Sequence, residues 1–291
     1  MLRTLIGTLL ICLSTAHASA QDVLRVSTIP EEAASEQIRK FAPLVKYLER
    51  RLGMKVLFRP VSDYPAAVEA LVNKQIELAW LGGLTFVQAD IRSGGKVIPI
   101  LQREEDTRFQ SVFISKTGSG ITQLTQLKGK TLTFGSPSST SGHLMPRSYL
   151  LEAGIDPEKD LSKLAYSGAH DASIAAVVSG RVDAAAVDMT VWRKFVESKR
   201  VDTTRVNVFY ETPSFYNYNW TIHADMPAEL RAKIERAFLE LSIDTPEGKE
   251  ILGLARATRY IPTKAENYKG MEQAARNAGL DLTPISWTFE N

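Results

Sequence analysis

Five small residues in a row, Ser138-Ser139-Thr140-Ser141-Gly142, bring hydroxyl and main-chain donors toward a single point. They follow the apolar run Thr131-Leu132-Thr133-Phe134 and the turn Gly135-Ser136-Pro137, and they precede a helical pattern from Leu144 to Leu151. A strand that enters a helix through such a turn leaves the first N–H groups without intrahelical acceptors, and the helix dipole adds positive potential there. That chemistry suits an oxyanion. Gly142 lets the backbone approach a guest closely. No lysine follows as it would in a Walker loop, which argues against a nucleoside triphosphate. Helix capping alone also accounts for Ser and Thr at these positions, so the turn needs partners.

An internal repeat supplies them. Val72-Asn-Lys-Gln-Ile-Glu-Leu-Ala79 and Val178-Ser-Gly-Arg-Val-Asp-Ala-Ala185 share one pattern: the end of an apolar helix, a polar turn, then an apolar-acidic-apolar strand start. Carried backward, the same offset pairs Tyr64 with His170, each at the start of its helix, and pairs Leu24–Thr28 with Thr131–Gly135 to within about a residue. Helix starts that are equivalent in two α/β halves face each other across a crevice beyond the carboxyl ends of the strands, where such sheets bind ligands. Tyr64 and His170 are therefore candidates to donate an O–H and a ring N–H across that crevice. For each, ordinary packing or capping is the competing explanation.

The elements that must position these groups alternate regularly. Leu24–Thr28 reads as a strand, Ala34–Leu52 as an amphipathic helix stopped by Gly53, Lys55–Pro60 as a strand, Tyr64–Val72 as a helix and Ile76–Leu81 as a strand. Such an order implies mostly parallel sheets with helices on both faces. Phe109–Ser115 and Tyr216–Ile222, both extended and rich in β-branched and aromatic residues, read as paired hinge strands between two lobes. Helices are expected over Ala228–Leu241, Pro246–Ala255 and Asn267–Ala278, and this tail is assigned to the first lobe.

The ends and the composition narrow the class. Met1-Leu2-Arg3, the apolar run Leu5–Leu13 and Ala18-Ser19-Ala20 form an export leader cleaved after Ala20, too short in its apolar part to span a bilayer. Cys12 is the sole cysteine and lies inside that leader, so disulfides and thiol catalysis are excluded from the mature chain. The formal charge is +2 and drops by one with Arg3; it is evenly spread, which gives no support to nucleic-acid or membrane-surface binding. Residues 21–115 with 217–291 are assigned to lobe I and 116–216 to lobe II. No cofactor is expected. Glu104-Glu105-Asp106 reads as a solvated turn, because no His or Cys cluster accompanies it to hold a metal.

Leu127-Lys-Gly-Lys130, Phe134-Gly135, Ser139-Thr-Ser-Gly142, Tyr166-Ser-Gly-Ala-His-Asp171 and Asp183-Ala-Ala185, together with Ala79-Trp-Leu-Gly-Gly83 and Arg259-Tyr-Ile-Pro262, resemble the periplasmic substrate-binding proteins of phosphonate and phosphite ABC importers. The likeness spans nearly all of the mature chain in order. It implies an α/β, two-lobed type II periplasmic binding fold, each lobe a mostly parallel sheet flanked by helices, with two hinge strands between them. It also implies a small tetrahedral oxyanion held between the lobes and handed to an inner-membrane permease and its ATPase by a periplasmic monomer. Matched residue by residue, the family's ligand positions fall on Ser139, Thr140, Ser141, His170 and Tyr64. An acidic ligand falls on Asp188, where a carboxylate would accept a P–OH or pair with an amine, and would repel sulfate or selenate.

Gly82-Gly83-Leu84-Thr85-Phe86 replaces the aromatic that phosphonate binders carry after Gly-Pro, and His143 follows the turn; both departures resemble a subgroup of selenate binders. The identity of the anion stays open among phosphonate, phosphite, selenate and phosphate. Trp80, Phe86, Tyr216, Tyr218 and His143 are further candidates to line the cleft, with core packing the competing role for the aromatics and surface placement for His143.

Two other functions compete with uptake. A sensor module that reports its ligand to a membrane receptor would use the same lobe closure, and gene neighbourhood distinguishes it. A hydrolase built on Ser139 or Ser141 with His170 and Asp171 is disfavoured, because no Gly-x-Ser-x-Gly elbow is present and Asp171 adjoins His170 in sequence. No catalytic residue is expected.

Overall fold

A computed structural model of the chain describes residues 23–280 and 282. The leader, its cleavage point after Ala20 and Cys12 lie outside the described residues.

The first lobe begins with β1 (Val23–Thr28), α1 (Ala34–Leu52), β2 (Lys55–Phe58), α2 (Tyr64–Val72), β3 (Leu78–Leu81), α3 (Gly83–Ser93) and β4 (Val97–Arg103). The second contains β5 (Ser111–Lys116), β6 (Thr131–Phe134), α4 (Met145–Glu152), α5 (Pro157–Asp160), β7 (Lys163–Tyr166), α6 (His170–Ser179), β8 (Ala184–Asp188), α7 (Met189–Glu197) and β9 (Val206–Glu211). The chain then returns through β10 (Asn219–His223), α8 (Ala228–Leu239), α9 (Pro246–Ala255), β11 (Tyr260–Pro262) and α10 (Lys269–Asn277).

Local sequence explains these elements. Phe41, Leu44, Tyr47, Leu48 and Leu52 recur at three- and four-residue spacing and form the buried face of α1, which ends on Gly53 at φ 66°. Asp63 caps α2 by accepting the Ala66 N–H at 2.8 Å, and Pro65 fits the first turn, where no donor is needed. In β8 the run Ala184-Ala185-Ala186-Val187 sends alternate residues to opposite faces of its sheet, into two separate apolar clusters.

The two sheets share one plan. Lobe I is ordered β11-β4-β10-β3-β1-β2 and lobe II β7-β6-β8-β5-β9. In each, a central strand (β1 or β6) has parallel neighbours on both sides, and the next strand outward (β10 or β5) is antiparallel. Both sheets are thus mixed rather than mostly parallel, because the strands that cross between lobes enter from the hinge end and run against the rest. The domain limits shift accordingly. Phe109–Ser115 was expected to close lobe I, yet β5 pairs with β8 and β9 and is part of the second sheet. The crossings lie at 104–110 and 212–218, where Phe109 and Phe215 exchange N–H···O=C bonds of 2.8 and 2.9 Å.

Candidate functional site

Thr140–Leu144 forms a single π-helical turn ahead of α4, a widened geometry that recurs at functional sites. Ser139 Oγ accepts the Gly142 N–H at 2.9 Å. Thr140 Oγ1 accepts the Leu84 N–H at 2.8 Å, from the other lobe. Each hydroxyl receives a hydrogen from behind, so its own hydrogen is left to donate elsewhere. Ser141 is buried beside them.

His170 opens α6 after Ala169, which supplies no side-chain cap. The Asp188 N–H donates to its Nδ1 at 3.3 Å. That contact makes Nδ1 the acceptor and leaves Nε2 as the ring's donor. Nε2 is buried without a protein partner. The ring packs tightly on the hydroxyl turn: a Cβ on Gly142 would stand 2.8 Å from His170 Cε1 and 2.9 Å from Ser139 Oγ.

Tyr64 opens α2 on the opposite lobe, and its hydroxyl is likewise buried with no partner. Ser139 is near enough to influence the phenol electrostatically, although the two are outside hydrogen-bond geometry. Burial first, and then the carboxylates of Glu31 and Asp188, push the Tyr64 pKa well above its usual value. This phenol is a donor at any physiological pH. Its desolvated, unpartnered oxygen is the kind of group that native interiors leave only for a reason.

Asp188 ends β8 and caps α7. Its Oδ1 accepts from Thr190 N (2.6 Å), Thr190 Oγ1 (2.6 Å) and Val191 N (3.0 Å), and its Oδ2 accepts from Tyr218 OH at 2.6 Å. Burial alone would raise the pKa. The His170 imidazole and the hydrogen bonds from Thr190, Tyr218 and Val191 outweigh it and hold the carboxyl below the ordinary range. Asp188 therefore already has protein donors on both oxygens, and a ligand proton would have to share Oδ2 with Tyr218.

The aromatic candidates divide. Tyr218 stacks on Trp80 at 5.3 Å, and the Arg103 guanidinium lies over both rings at 5.0 and 5.2 Å, so these side chains wall the hinge side. Phe86 and Tyr216 pack on Tyr268 at 5.1 and 6.3 Å, toward the carboxy-terminal tail. His143, expected at the surface, is buried. Its Nδ1–H donates to Pro137 O at 2.7 Å and its Nε2 accepts from Tyr166 OH at 3.1 Å. Both nitrogens are occupied behind the turn, and burial lowers its pKa to about 4.

Two polar residues escaped the sequence reading. Asn217 accepts the Gly83 N–H at 3.5 Å through Oδ1, while its Nδ2 is buried and unpartnered. Glu31 is buried at the end of the first β–α connection, and its carbonyl accepts the His170 N–H at 3.2 Å. A chain-distant asparagine just ahead of β10 and the first of two adjacent glutamates after Pro30 carry no spacing signal.

The lobes are closed on one another. Besides Leu84–Thr140, Glu31–His170 and Tyr218–Asp188, the Ala33 N–H reaches Asp171 Oδ2 at 3.2 Å, and Lys194 Nζ reaches Glu32 at 2.5 Å and Glu36 at 3.4 Å.

Comparison with known proteins adds the following. The family model for the phosphonate periplasmic substrate-binding protein of ABC transporters matches residues 26–268. The "Probable ABC transporter phosphite binding protein PhnD1" of Prochlorococcus marinus (strain MIT 9301) is 34% identical over 265 residues, covering 87% of this chain and 89% of that one. The phosphonates-binding periplasmic protein of Escherichia coli (strain K12) is 27% identical over 246 residues, covering 82% of this chain and 72% of that one. The solved structure of Prochlorococcus marinus PhnD1 in complex with methylphosphonate superposes with a TM-score of 0.85 at 32% identity, over 89% of this chain and 98% of that chain.

Proposed function

The chain belongs to the phosphonate-type periplasmic substrate-binding proteins of ABC transporters, and on that footing we propose that its cleft captures a small tetrahedral oxyanion, phosphonate or phosphite ahead of selenate or phosphate. The observation that carries this reading is the pair of buried donors, Tyr64 OH and His170 Nε2, which lack protein partners and sit on opposite lobes against the hydroxyls of Ser139 and Thr140. An anion supplies the missing acceptors. Ser141 and the Asn217 amide are further donors in this reading. Hydrogen bonds to a charged guest contribute roughly 1.5–3 kcal/mol each, so six at the upper end of that range reach micromolar or tighter binding after ordering costs.

Closure follows from the same contacts. The guest bridges Tyr64 and the hydroxyl turn, and the lobe-to-lobe bonds of Thr140, Asp171 and Lys194 then form around it. The closed monomer, exported after cleavage at Ala20, is the form presented to permease and ATPase.

A hydrolytic role is not supported. A Ser-His pair needs an imidazole whose Nδ1–H is held by a carboxylate and whose Nε2 accepts the serine proton. Here Nδ1 accepts a backbone N–H, so Nε2 already carries its hydrogen.

Calorimetric titration with methylphosphonate, phosphite, phosphate, sulfate and selenate tests the proposal. Saturable binding of at least one phosphorus oxyanion, lost in Tyr64→Phe with His170→Asn, is expected. Absence of binding to the whole series defeats it.

A further inference from the structure

Two residues on facing helices each sit where local chemistry disfavours them. Arg256 follows α9 at φ 52° and ψ 45°, in the left-handed region. Its N–H reaches Gly253 O at 3.1 Å and the Ala257 N–H reaches Leu252 O at 2.9 Å, the bond pattern of a helix end that glycine ordinarily supplies. Glycine does supply it after α1, α3 and α6. Among the described residues Lys74, Lys199 and Arg256 are the non-glycine residues at positive φ, where a Cβ is strained. Glu197, for its part, closes α7, where a carboxylate meets the negative end of the helix dipole.

One contact answers both. Arg256 Nη2 donates to Glu197 Oε2 at 2.8 Å and Nη1 to Oε1 at 3.4 Å, a forked pair that runs from lobe I to lobe II. The guanidinium holds the Glu197 carboxyl below its ordinary range, with a smaller contribution from Arg193. Lys74 pairs with Asp225 inside lobe I, so among the described residues Arg256 is the one left-handed residue whose ion pair crosses between the lobes. The backbone behind it is fixed. Arg103 Nη1 donates to Ala255 O at 2.7 Å, and the same guanidinium is gripped by Asp106 and lies over the Trp80 and Tyr218 rings. Tyr218 OH in turn meets Asp188, which caps the start of α7. Both ends of α7 are therefore tied to groups arranged around Arg103, the first turn through Tyr218 and the last through Arg256. The helix is nine residues long, about 13.5 Å, so ties at its two ends fix its tilt as well as its place.

Backbone strain of this kind persists where the surrounding structure has a use for it. We propose that Arg256 is a positioning residue for closure: its left-handed backbone aims the guanidinium at Glu197 and seats the end of α7 on lobe I, and the pair, made only when the lobes are closed, slows release of the guest. This rests on capture of the guest between the lobes and adds a device remote from it. The pair lies at the outer seam, where Arg256 borders two grooves of about 140 and 280 Å³. Water and salt reach it there, which limits its strength to that of an exposed ion pair.

Opposite effects on folding and binding are the signature. Arg256→Gly removes the pair and relieves the backbone, so the unliganded protein should keep or raise its Tm, while Kd for methylphosphonate weakens about twofold to fivefold through a faster koff. Glu197→Ala should give the same loss of affinity, and the double variant no more than either alone. The loss should fade at about 1 M salt. Stopped-flow kinetics, calorimetry and thermal denaturation measure these quantities. Unchanged Kd in both single variants, losses that add in the double variant, a loss carried by kon, or a lowered Tm for Arg256→Gly overturns the inference while leaving oxyanion binding intact. If the parent does not bind methylphosphonate, the oxyanion reading falls, and small-angle X-ray scattering of the unliganded proteins decides the role of Arg256 by itself. A larger radius of gyration in Arg256→Gly supports it, and equal radii overturn it.

Discussion

Adding a single methyl group at Gly142 should disable the site while leaving the fold in place. The backbone there is not in the left-handed region, so the obstacle is contact rather than strain: the new Cβ would lie 2.8 Å from His170 Cε1, 2.9 Å from Ser139 Oγ and 3.3 Å from Gly135 Cα. His170 and Ser139 must each retreat by about half an ångström to regain ordinary separation. Overpacking of this kind costs about 1–3 kcal/mol of stability, or roughly 2–12 °C in Tm at ~2–4 °C per kcal/mol for a chain of this size. Binding should suffer as well. Two donors to a charged guest, worth ~1.5–3 kcal/mol each, lose about half their value when misaligned, which weakens Kd by roughly 10- to 150-fold. Calorimetry with methylphosphonate and thermal denaturation without ligand read the two effects separately. Gly253→Ala is the control, since a Cβ there meets nothing within 4 Å. A folded Gly142→Ala protein that binds as tightly as the parent refutes the geometry, because the imidazole and the serine would then not be the groups that hold the guest.

Three further outcomes follow from the contacts. Tyr64→Phe removes a buried hydroxyl with no partner, so the unliganded protein should be at least as stable by urea denaturation while Kd weakens about 10- to 100-fold; a loss of stability without a loss of affinity would contradict this. Lys194→Met deletes the lobe-to-lobe pair with Glu32 and Glu36; affinity should drop about threefold to fivefold, and its dependence on salt concentration should flatten. The pH dependence of folding should carry a His143 component: its folded pKa of about 4 lies below the ordinary 6.5, so the unfolded chain binds the proton more readily and stability is lost as pH falls from about 6.5 toward about 4. The loss approaches ~3 kcal/mol, and chemical denaturation of His143→Gln should show a smaller drop over the same window.

The features legible in the sequence are those carried by periodicity. Tyr64 and His170 do open equivalent helices, because an apolar helix followed by a polar turn and a strand leaves a repeating trace. Tertiary partnership left less of one. β5 looks like any β-branched strand, and nothing local says which sheet will take it; that is decided by its pairing with Ala184–Asp188, some seventy residues later. His143 sits in a helix start that reads as surface, yet Pro137 O and Tyr166 OH satisfy both ring nitrogens and permit burial. The family resemblance placed an acidic ligand at Asp188, with capping of the next helix as the competing role. Oδ1 does cap α7 through Thr190 and Val191, a local contact, whereas Oδ2 takes the Tyr218 hydroxyl from thirty residues away, just ahead of β10, which no local pattern announces. Glu31 and Asn217 were missed for the same reason, since their neighbours are distant in the chain.

The placement of β10 also dictates an order of assembly. It lies between β3 and β4 in the first sheet, so until residues 219–223 are made both of those strands present open edges to solvent. Lobe II, by contrast, draws its whole sheet from the unbroken stretch between Ser111 and Glu211. The first sheet therefore cannot close until β10 is available, whereas the second has all its strands earlier in the chain. A chain made from its amino terminus thus holds every strand of the second sheet before it holds the one that joins β3 to β4 in the first.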